Sequence, residues 1–272
     1  MRHRDHVLSA RDHLRGLGEA DASDGEGLIM LKSTVACIAW LLMVAPAAAE
    51  PTQIVVRVIS QDGKFVGDHT GGASITLREV KSGRVLARGV TRGGTGDTER
   101  IMEASRRSPS IALADAASYK VTLDLGEPTL VDLEVEGPIG RPRSSISVRS
   151  QRWIVPGVPV TAGNGWLVEL PGLAITPTIS TQGRSVLITA KVELMCGCPI
   201  TPDGPWPSAD YAVTASIWSG RHELASAPLA FTAAPGTFSG RITLPRAWKA
   251  KIYVNAVNGR TGNSGLATVR LP

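Results

Sequence analysis

The chain has 272 residues, of which 43% are hydrophobic and 19% are charged, and this composition excludes an intrinsically disordered protein. It carries 29 lysine and arginine residues against 24 acidic ones, and the basic residues are spread along the chain without interleaved aromatic side chains. That distribution argues against a nucleic-acid-binding protein, so we expect no nucleic-acid partner.

The N-terminal region has the features of an export signal. Lys32 precedes an apolar run at residues 35–44, and three alanines at 47–49 end it, which is the order of a secretory signal peptide cleaved after Ala49. We therefore expect residues 30–49 to be the signal peptide. Residues 1–29 are polar and mixed in charge, and we expect them to be a non-native N-terminal extension. The alternative is a retained membrane anchor, although a spanning helix needs about 17–25 apolar residues.

Cleavage changes both the charge and the cysteine content. Without residues 1–49 the chain keeps 24 basic and 18 acidic side chains, a net charge of +6. It also loses Cys37, so Cys196 and Cys198 are the only cysteines left, in a compartment where disulfides persist. We expect a periplasmic or secreted protein with no transmembrane segment in the mature chain.

The first half of the exported chain has the two-residue period of β-strands. Alternating runs at residues 54–59 and 73–77 are separated by glycines, and the turn at residues 81–83 predicts a hairpin with residues 84–90. Two further alternating runs joined by a short turn predict a second hairpin, residues 119–125 and 129–135.

The order of these strands resembles a known sandwich. An N-terminal strand, the Ala-Ser-Ile-Thr-Leu strand at 73–77, a short hairpin and the late Ala-Ser-Tyr-Lys-Val-Thr-Leu strand at 117–123 are similar to the transthyretin-like or carboxypeptidase-regulatory-like fold over residues 52–136. The resemblance implies a β-sandwich at residues 50–140 that serves as a binding or spacer domain.

Two breaks in the pattern mark a domain boundary. Prolines and glycines interrupt the chain at residues 137–143 and again at 156–159. We expect residues 141–157 to be a linker, or a linker strand that pairs with either half. The second domain is then expected at residues 158–272.

The second half contains the clearest strand of the chain. Residues 186, 188, 190, 192 and 194 are all apolar, while the residues between them are mostly polar, which predicts one buried and one wet face. Later strands are expected at residues 211–218, 229–232, 237–244, 251–257 and 266–271, the last two as a hairpin. From residue 158 to the end this half resembles bacterial immunoglobulin-like domains, although it lacks their inter-sheet disulfide. The predicted fold is therefore all-β, with two β-sandwich domains in tandem.

The cysteine pair follows this strand. Continuing its parity places Cys196 on the buried face and Met195 on the other, while Gly197 and Pro199 permit a turn that brings Cys198 beside Cys196. We predict a structural Cys196–Cys198 disulfide. A redox-active pair and a Cu(I) site made by Met195, Cys196 and Cys198 are the alternatives.

A proline-stiffened loop comes next along the chain. Pro205 and Pro207 flank Trp206, and such stiffness lowers the entropy lost on binding. We expect these three residues either to form a recognition loop or to fold back, with Trp206 as a lid over the end of the sandwich.

Signals of catalysis are weak. Residues 262–265 lack the Gly-x-Ser-x-Gly elbow of serine hydrolases, and His222-Glu223 lacks the second histidine of a zinc protease. We predict an exported, non-catalytic binding or structural module without a cofactor, which acts through loops on another periplasmic or cell-surface protein. The alternative is a thiol-redox or copper-binding protein that uses Cys196 and Cys198.

Overall fold

The structure is a computed structural model and describes residues 49–103, 110–244 and 250–270. The predicted extension and signal peptide lie outside the described residues, except for Ala49. Within the part of the chain that the structure describes, no helix has the length and apolar character needed to cross a membrane.

The described chain is nearly all β, as the sequence predicted. Its first strands are β1 (Glu50–Ser60), β2 (Ser74–Glu79), β3 (Val85–Val90), β4 (Tyr119–Leu125), β5 (Thr129–Gly137), β6 (Ile146–Ile154) and β7 (Trp166–Leu170). The later strands are β8 (Leu173–Gln182), β9 (Ser185–Leu194), β10 (Tyr211–Ser219), β11 (His222–Pro228), β12 (Ala230–Phe231), β13 (Thr237–Thr243), β14 (Lys251–Asn258) and β15 (Ser264–Arg270). One short α-helix, α1 (Thr98–Met102), follows β3, and two 3-10 turns lie at Asp68–Thr70 and Ser208–Asp210.

Two sheets of the first half enclose one hydrophobic cluster. Their strand orders are β4-β1-β7 and β3-β2-β5-β6. Alternate residues of β5, namely Val131, Leu133 and Val135, are fully buried between the two sheets. Each such side chain contributes about 1.5–3 kcal/mol relative to an exposed one, so this alternation fixes which face of β5 points inward.

The second half repeats this architecture around its own cluster. Its sheets have the orders β11-β10-β14-β15 and β12-β13-β9-β8. The five apolar residues at even positions of β9 are fully buried, which confirms the face predicted from their alternation. β14 and β15 pair as the predicted hairpin, and β2 and β3 do the same in the first half.

The predicted hairpin between residues 119–125 and 129–135 is wrong. Both segments are strands, but β4 pairs with β1 and β5 pairs with β2, in different sheets. Residues 126–128 therefore carry the chain from one layer of the sandwich to the other. Alternation alone does not distinguish a hairpin within one sheet from a connection between two sheets, because both leave one face of each strand buried.

The segment between the two halves takes part in the first sandwich. β6 pairs with β5 in antiparallel fashion, and β7, which the sequence assigns to the second domain, pairs in parallel with β1. The described residues of both sandwiches belong to one compact unit. The division into two independently folding domains stays a prediction.

Candidate functional site

The chain reverses its direction directly after β9. The amide of Gly197 donates to the carbonyl of Leu194 at 2.7 Å, and the amide of Leu194 donates to the carbonyl of Cys198 at 3.3 Å. Gly197 has a φ of 78°, in the left-handed region where residues with a Cβ are disfavoured. This turn brings the Cα atoms of Cys196 and Cys198 to 5.5 Å, and the two residues form a disulfide.

Met195 lies apart from the two cysteines with which the copper alternative groups it. Cys196 and Cys198 are buried in the hydrophobic cluster of the second sandwich, whereas Met195 packs into the cluster of the first. The parity of β9 thus continues past its last residue, as predicted. Within the described ranges, no group of three or more His, Cys, Asp or Glu side chains is placed to hold a metal ion.

Trp206 folds back onto the protein. Its side chain is 8% exposed, and its indole Nε1 donates a hydrogen bond of 2.6 Å to the backbone carbonyl of Asp62. Pro205 is exposed and Pro207 is half-buried. This geometry matches the lid that the sequence left open as an alternative to a recognition loop.

A cleft of about 590 Å³ lies beside this turn. The second sandwich contributes the disulfide, Gly197, Pro199 and an edge of Trp206. Two loops of the first sandwich form the other wall, and their lining residues are Lys64, Asp68, His69, Gly93, Gly94, Thr95 and Asp115. The site therefore combines residues that are far apart in the sequence.

Hydrogen bonds fix the loops of the first sandwich. Lys64 Nζ donates to the carbonyl of Gly96 at 3.3 Å and to Thr98 Oγ1 at 3.0 Å. The Asp68 carboxylate accepts the amide of Gly93 at 3.0 Å and lies 3.6 Å from the Arg92 guanidinium. These two charged side chains therefore brace the walls of the cleft.

Two polar side chains of the cleft form no hydrogen bonds within the described part of the chain. The side chains of His69 and Asp115 are exposed, and neither forms a hydrogen bond with another of the residues that the structure describes. His69 packs over the cysteine turn so closely that a Cβ at Gly197 would lie 2.9 Å from its Nε2 atom. The imidazole can donate a hydrogen bond to a ligand, and the carboxylate can accept one from it.

The backbone of the first sandwich also contacts the disulfide. The amide of Lys64 points at Cys196 Sγ at a distance of 3.5 Å. Hydrogen bonding to a sulfur favours its negatively charged form, so this contact would stabilise a Cys196 thiolate if the disulfide were reduced.

Sequence reasoning identified one side of this cleft and missed the other. The cysteine turn and Trp206 were singled out, but Lys64, His69 and Asp115 were not. The glycine-rich residues 93–95 also line the cleft, although sequence reasoning assigned them no functional role. No local motif marks His69 or Asp115, because only tertiary packing brings them to the disulfide.

Comparisons with known proteins do not identify a family. No protein-family model and no curated protein matches the chain. Among solved structures, a DUF3823 family protein from Bacteroides ovatus is 12% identical, with a TM-score of 0.29 over 80% of this chain and 97% of that chain. A candidate carbohydrate-binding protein from Bacteroides uniformis is 11% identical, with a TM-score of 0.27 over 81% of this chain and 98% of that one. The chicken interferon gamma receptor alpha chain is also 11% identical, with a TM-score of 0.30 over 82% and 98% of the two chains. These scores are too low to support a conclusion on a shared fold or ligand.

Proposed function

We propose that this protein is an exported, non-catalytic binding module whose ligand occupies the cleft beside the Cys196–Cys198 disulfide. The ligand is a short segment of another periplasmic or cell-surface protein. The cleft itself is the observation that carries the proposal, since its volume of about 590 Å³ lies in the range of ligand sites.

The rigidity of the cleft supports a binding role. Its wall from the first sandwich is held in place by the hydrogen bonds of Lys64 and Asp68. A preformed site loses little conformational entropy when a ligand binds. His69 and Asp115 would then orient the ligand, because neither side chain forms a hydrogen bond with another of the described residues.

A photocrosslinking experiment tests the location of the ligand. Gly94 lines the cleft, has no left-handed φ, and its added Cβ would meet the nearest atom, the carbonyl oxygen of Asp115, at 3.6 Å. Replacing Gly94 with p-benzoylphenylalanine should therefore leave the fold intact and cross-link the partner in the cells that produce the protein.

Gly259 provides the matched control. It lies in the turn between β14 and β15, has no left-handed φ, and an added Cβ would meet only the carbonyl oxygen of Asp210, at 3.7 Å. We expect a discrete cross-linked product from position 94 and none from position 259. Equal products from both positions, or none from either, would count against the cleft.

The alternative function is thiol chemistry at the same place. It is favoured by the amide of Lys64, which points at Cys196 Sγ. If Cys196 and Cys198 were reduced, they could reduce the disulfide of a partner by thiol–disulfide exchange, or bind Cu(I) through their two thiolates. Loss of function on replacing both cysteines with serine would favour this alternative, whereas a binding module should keep its affinity.

A further inference from the structure

A second surface of the first sandwich has the composition of a ligand site. It lies on the outer face of the sheet β3-β2-β5-β6, away from the hydrophobic cluster. Trp153, on the edge strand β6, is 63% exposed. A tryptophan this exposed is unusual, because the ring is large and apolar and is mostly buried in folded proteins.

The strand register places polar side chains in line with Trp153. Leu130 lies directly opposite Trp153, Asp132 opposite Gln151, and Glu134 opposite Arg149. Directly opposed residues share one face of a sheet, so these six side chains form one surface, called here the Trp153 platform. Residues i and i+2 of a strand are about 6.6–7 Å apart, so the platform extends about 13 Å from Trp153 to Arg149.

The polar part of the platform is ordered by its own hydrogen bonds. Gln151 Nε2 donates to Asp132 Oδ1 at 3.3 Å, and Arg149 Nη2 donates to Glu134 Oε1 at 3.0 Å. A groove of about 460 Å³ is lined by Asp132, Gln151 and Arg149 of this surface. Arg78 of β2, which pairs with Asp132 of β5, also lines it. The side chains are therefore held by strands, and not by loops.

The charges of this surface balance. Arg149 of the platform and Arg78 beside it oppose Asp132 and Glu134, and Glu79 in the groove is paired with Arg84 at 3.4 Å, so the surface offers many donors and acceptors with no excess charge. This disfavours an ionic ligand such as nucleic acid or a strongly charged peptide. A ligand with one apolar face and many hydroxyl groups fits both the indole ring and the planar polar groups.

We infer that the Trp153 platform is a carbohydrate-binding site for a linear, neutral oligosaccharide. One sugar ring stacks on the indole of Trp153 through its C–H face, and the hydroxyl groups of the following rings bond to Gln151, Asp132 and Arg149. The straight, roughly 13 Å row of side chains favours a linear chain over a single sugar. This site is separate from the cleft at the disulfide and does not depend on the function proposed for it.

Calorimetry of the purified full chain tests the inference. The probes are cellohexaose, maltohexaose, mannohexaose and xylohexaose. We expect at least one of them to bind, Trp153→Ala to weaken that binding by about tenfold or more, and Gln151→Ala to weaken it by a smaller factor. Trp153→Tyr should retain part of the affinity because it keeps an aromatic face, whereas Trp153→Leu should not.

Two controls separate this site from other surfaces. Leu266→Ala changes an exposed apolar residue, 55% accessible, on the edge strand β15 of the second sandwich. Gly94→Phe fills the cleft at the disulfide. Both variants should bind the oligosaccharide as the wild type does.

Three results would overturn the inference. The first is that none of the four oligosaccharides binds, and the second is that Trp153→Ala binds as tightly as the wild type. The third is that Trp153→Leu retains full binding, because a surface that needs only apolar bulk is a protein contact.

Discussion

The indole N–H of Trp206 donates a hydrogen bond of 2.6 Å to the backbone carbonyl of Asp62 and so joins the two sandwiches. Asp62 has a φ of 58°, a left-handed conformation that its short polar side chain tolerates better than most. Its carboxylate also accepts the hydroxyl of Thr261, from the turn before β15. The turn after β1 is thereby fastened to two loops of the second sandwich.

This hydrogen bond makes Trp206→Phe destabilising. The variant removes the donor and part of the ring from a side chain that is 8% exposed. We expect the free energy of unfolding to fall by about 1–3 kcal/mol, measured by urea denaturation. Trp153→Phe is the control, since that ring is exposed and its replacement should change stability by less than about 0.5 kcal/mol. Equal effects of the two variants would contradict this role for Trp206.

The ion pair between Arg141 and Glu193 predicts a second stability difference. Arg141 Nη2 lies 3.0 Å from Glu193 Oε2, and the Glu193 side chain is only 7% exposed. Among the described residues, Arg141→Met would leave this carboxylate with Lys191 as its remaining ion-pair partner, at 3.4 Å. We expect a loss of about 1–3 kcal/mol in the free energy of unfolding.

Arg149→Met is the matched control for that pair. Arg149 bonds to Glu134 at the same distance of 3.0 Å, but its side chain is 63% exposed and solvent screens the interaction. Its replacement should cost much less stability than Arg141→Met. A larger loss in Arg149→Met would show that burial does not decide the strength of these pairs.

The disulfide predicts a modest effect on stability. It closes a loop of only three residues, so the restriction that it places on the unfolded chain is small. The double variant Cys196→Ser/Cys198→Ser should fold and should lose about 1–2 kcal/mol of unfolding free energy. Thermal and urea denaturation of oxidised wild type and variant measure this difference. Failure of the variant to fold would mean that the disulfide is essential to the second sandwich.

Tyr211 predicts the response to alkaline pH. Burial raises the pKa of Tyr211, and a hydrogen bond with Asn258 opposes that shift only in part. The folded state favours the neutral phenol of Tyr211. The stability that this phenol contributes is therefore complete below the pKa of tyrosine in the unfolded chain, near 10. It is then lost as the pH rises through the higher pKa of the folded state.

A comparison with Tyr211→Phe isolates this titration. At pH 7 the difference in unfolding free energy gives the contribution of the hydroxyl group. Above about pH 10 the wild type should lose its advantage over the variant, because only the wild type has a phenol to ionise. A constant difference between the two proteins from pH 7 to pH 11 would contradict this account.

The sequence predicts the strands well because their cause is local. The alternation in β9 depends on five apolar side chains that share one face, and all five are buried. The turn at Gly197 also follows from local chemistry, since a glycine between two cysteines permits the left-handed φ that brings them together.

Strand partners are harder to predict because their cause is not local. Nothing within the residues of β7 indicates a parallel pairing with β1, more than 100 residues earlier in the chain. The same reason explains the missed wall of the cleft. His69 and Asp115 reach the disulfide only through the packing of the two sandwiches, so their sequence neighbours give no signal.

The most direct test of a binding cleft is calorimetry with a synthetic peptide that reproduces the partner segment cross-linked at position 94. Four proteins are compared: the wild type, Gly94→Phe, Gly259→Phe and Cys196→Ser/Cys198→Ser. Gly94→Phe fills the cleft and should weaken binding by about tenfold or more, while the other two variants should match the wild type. Unchanged binding by Gly94→Phe would contradict the cleft as the binding site, and loss of binding by the serine variant alone would assign the function to the cysteine pair.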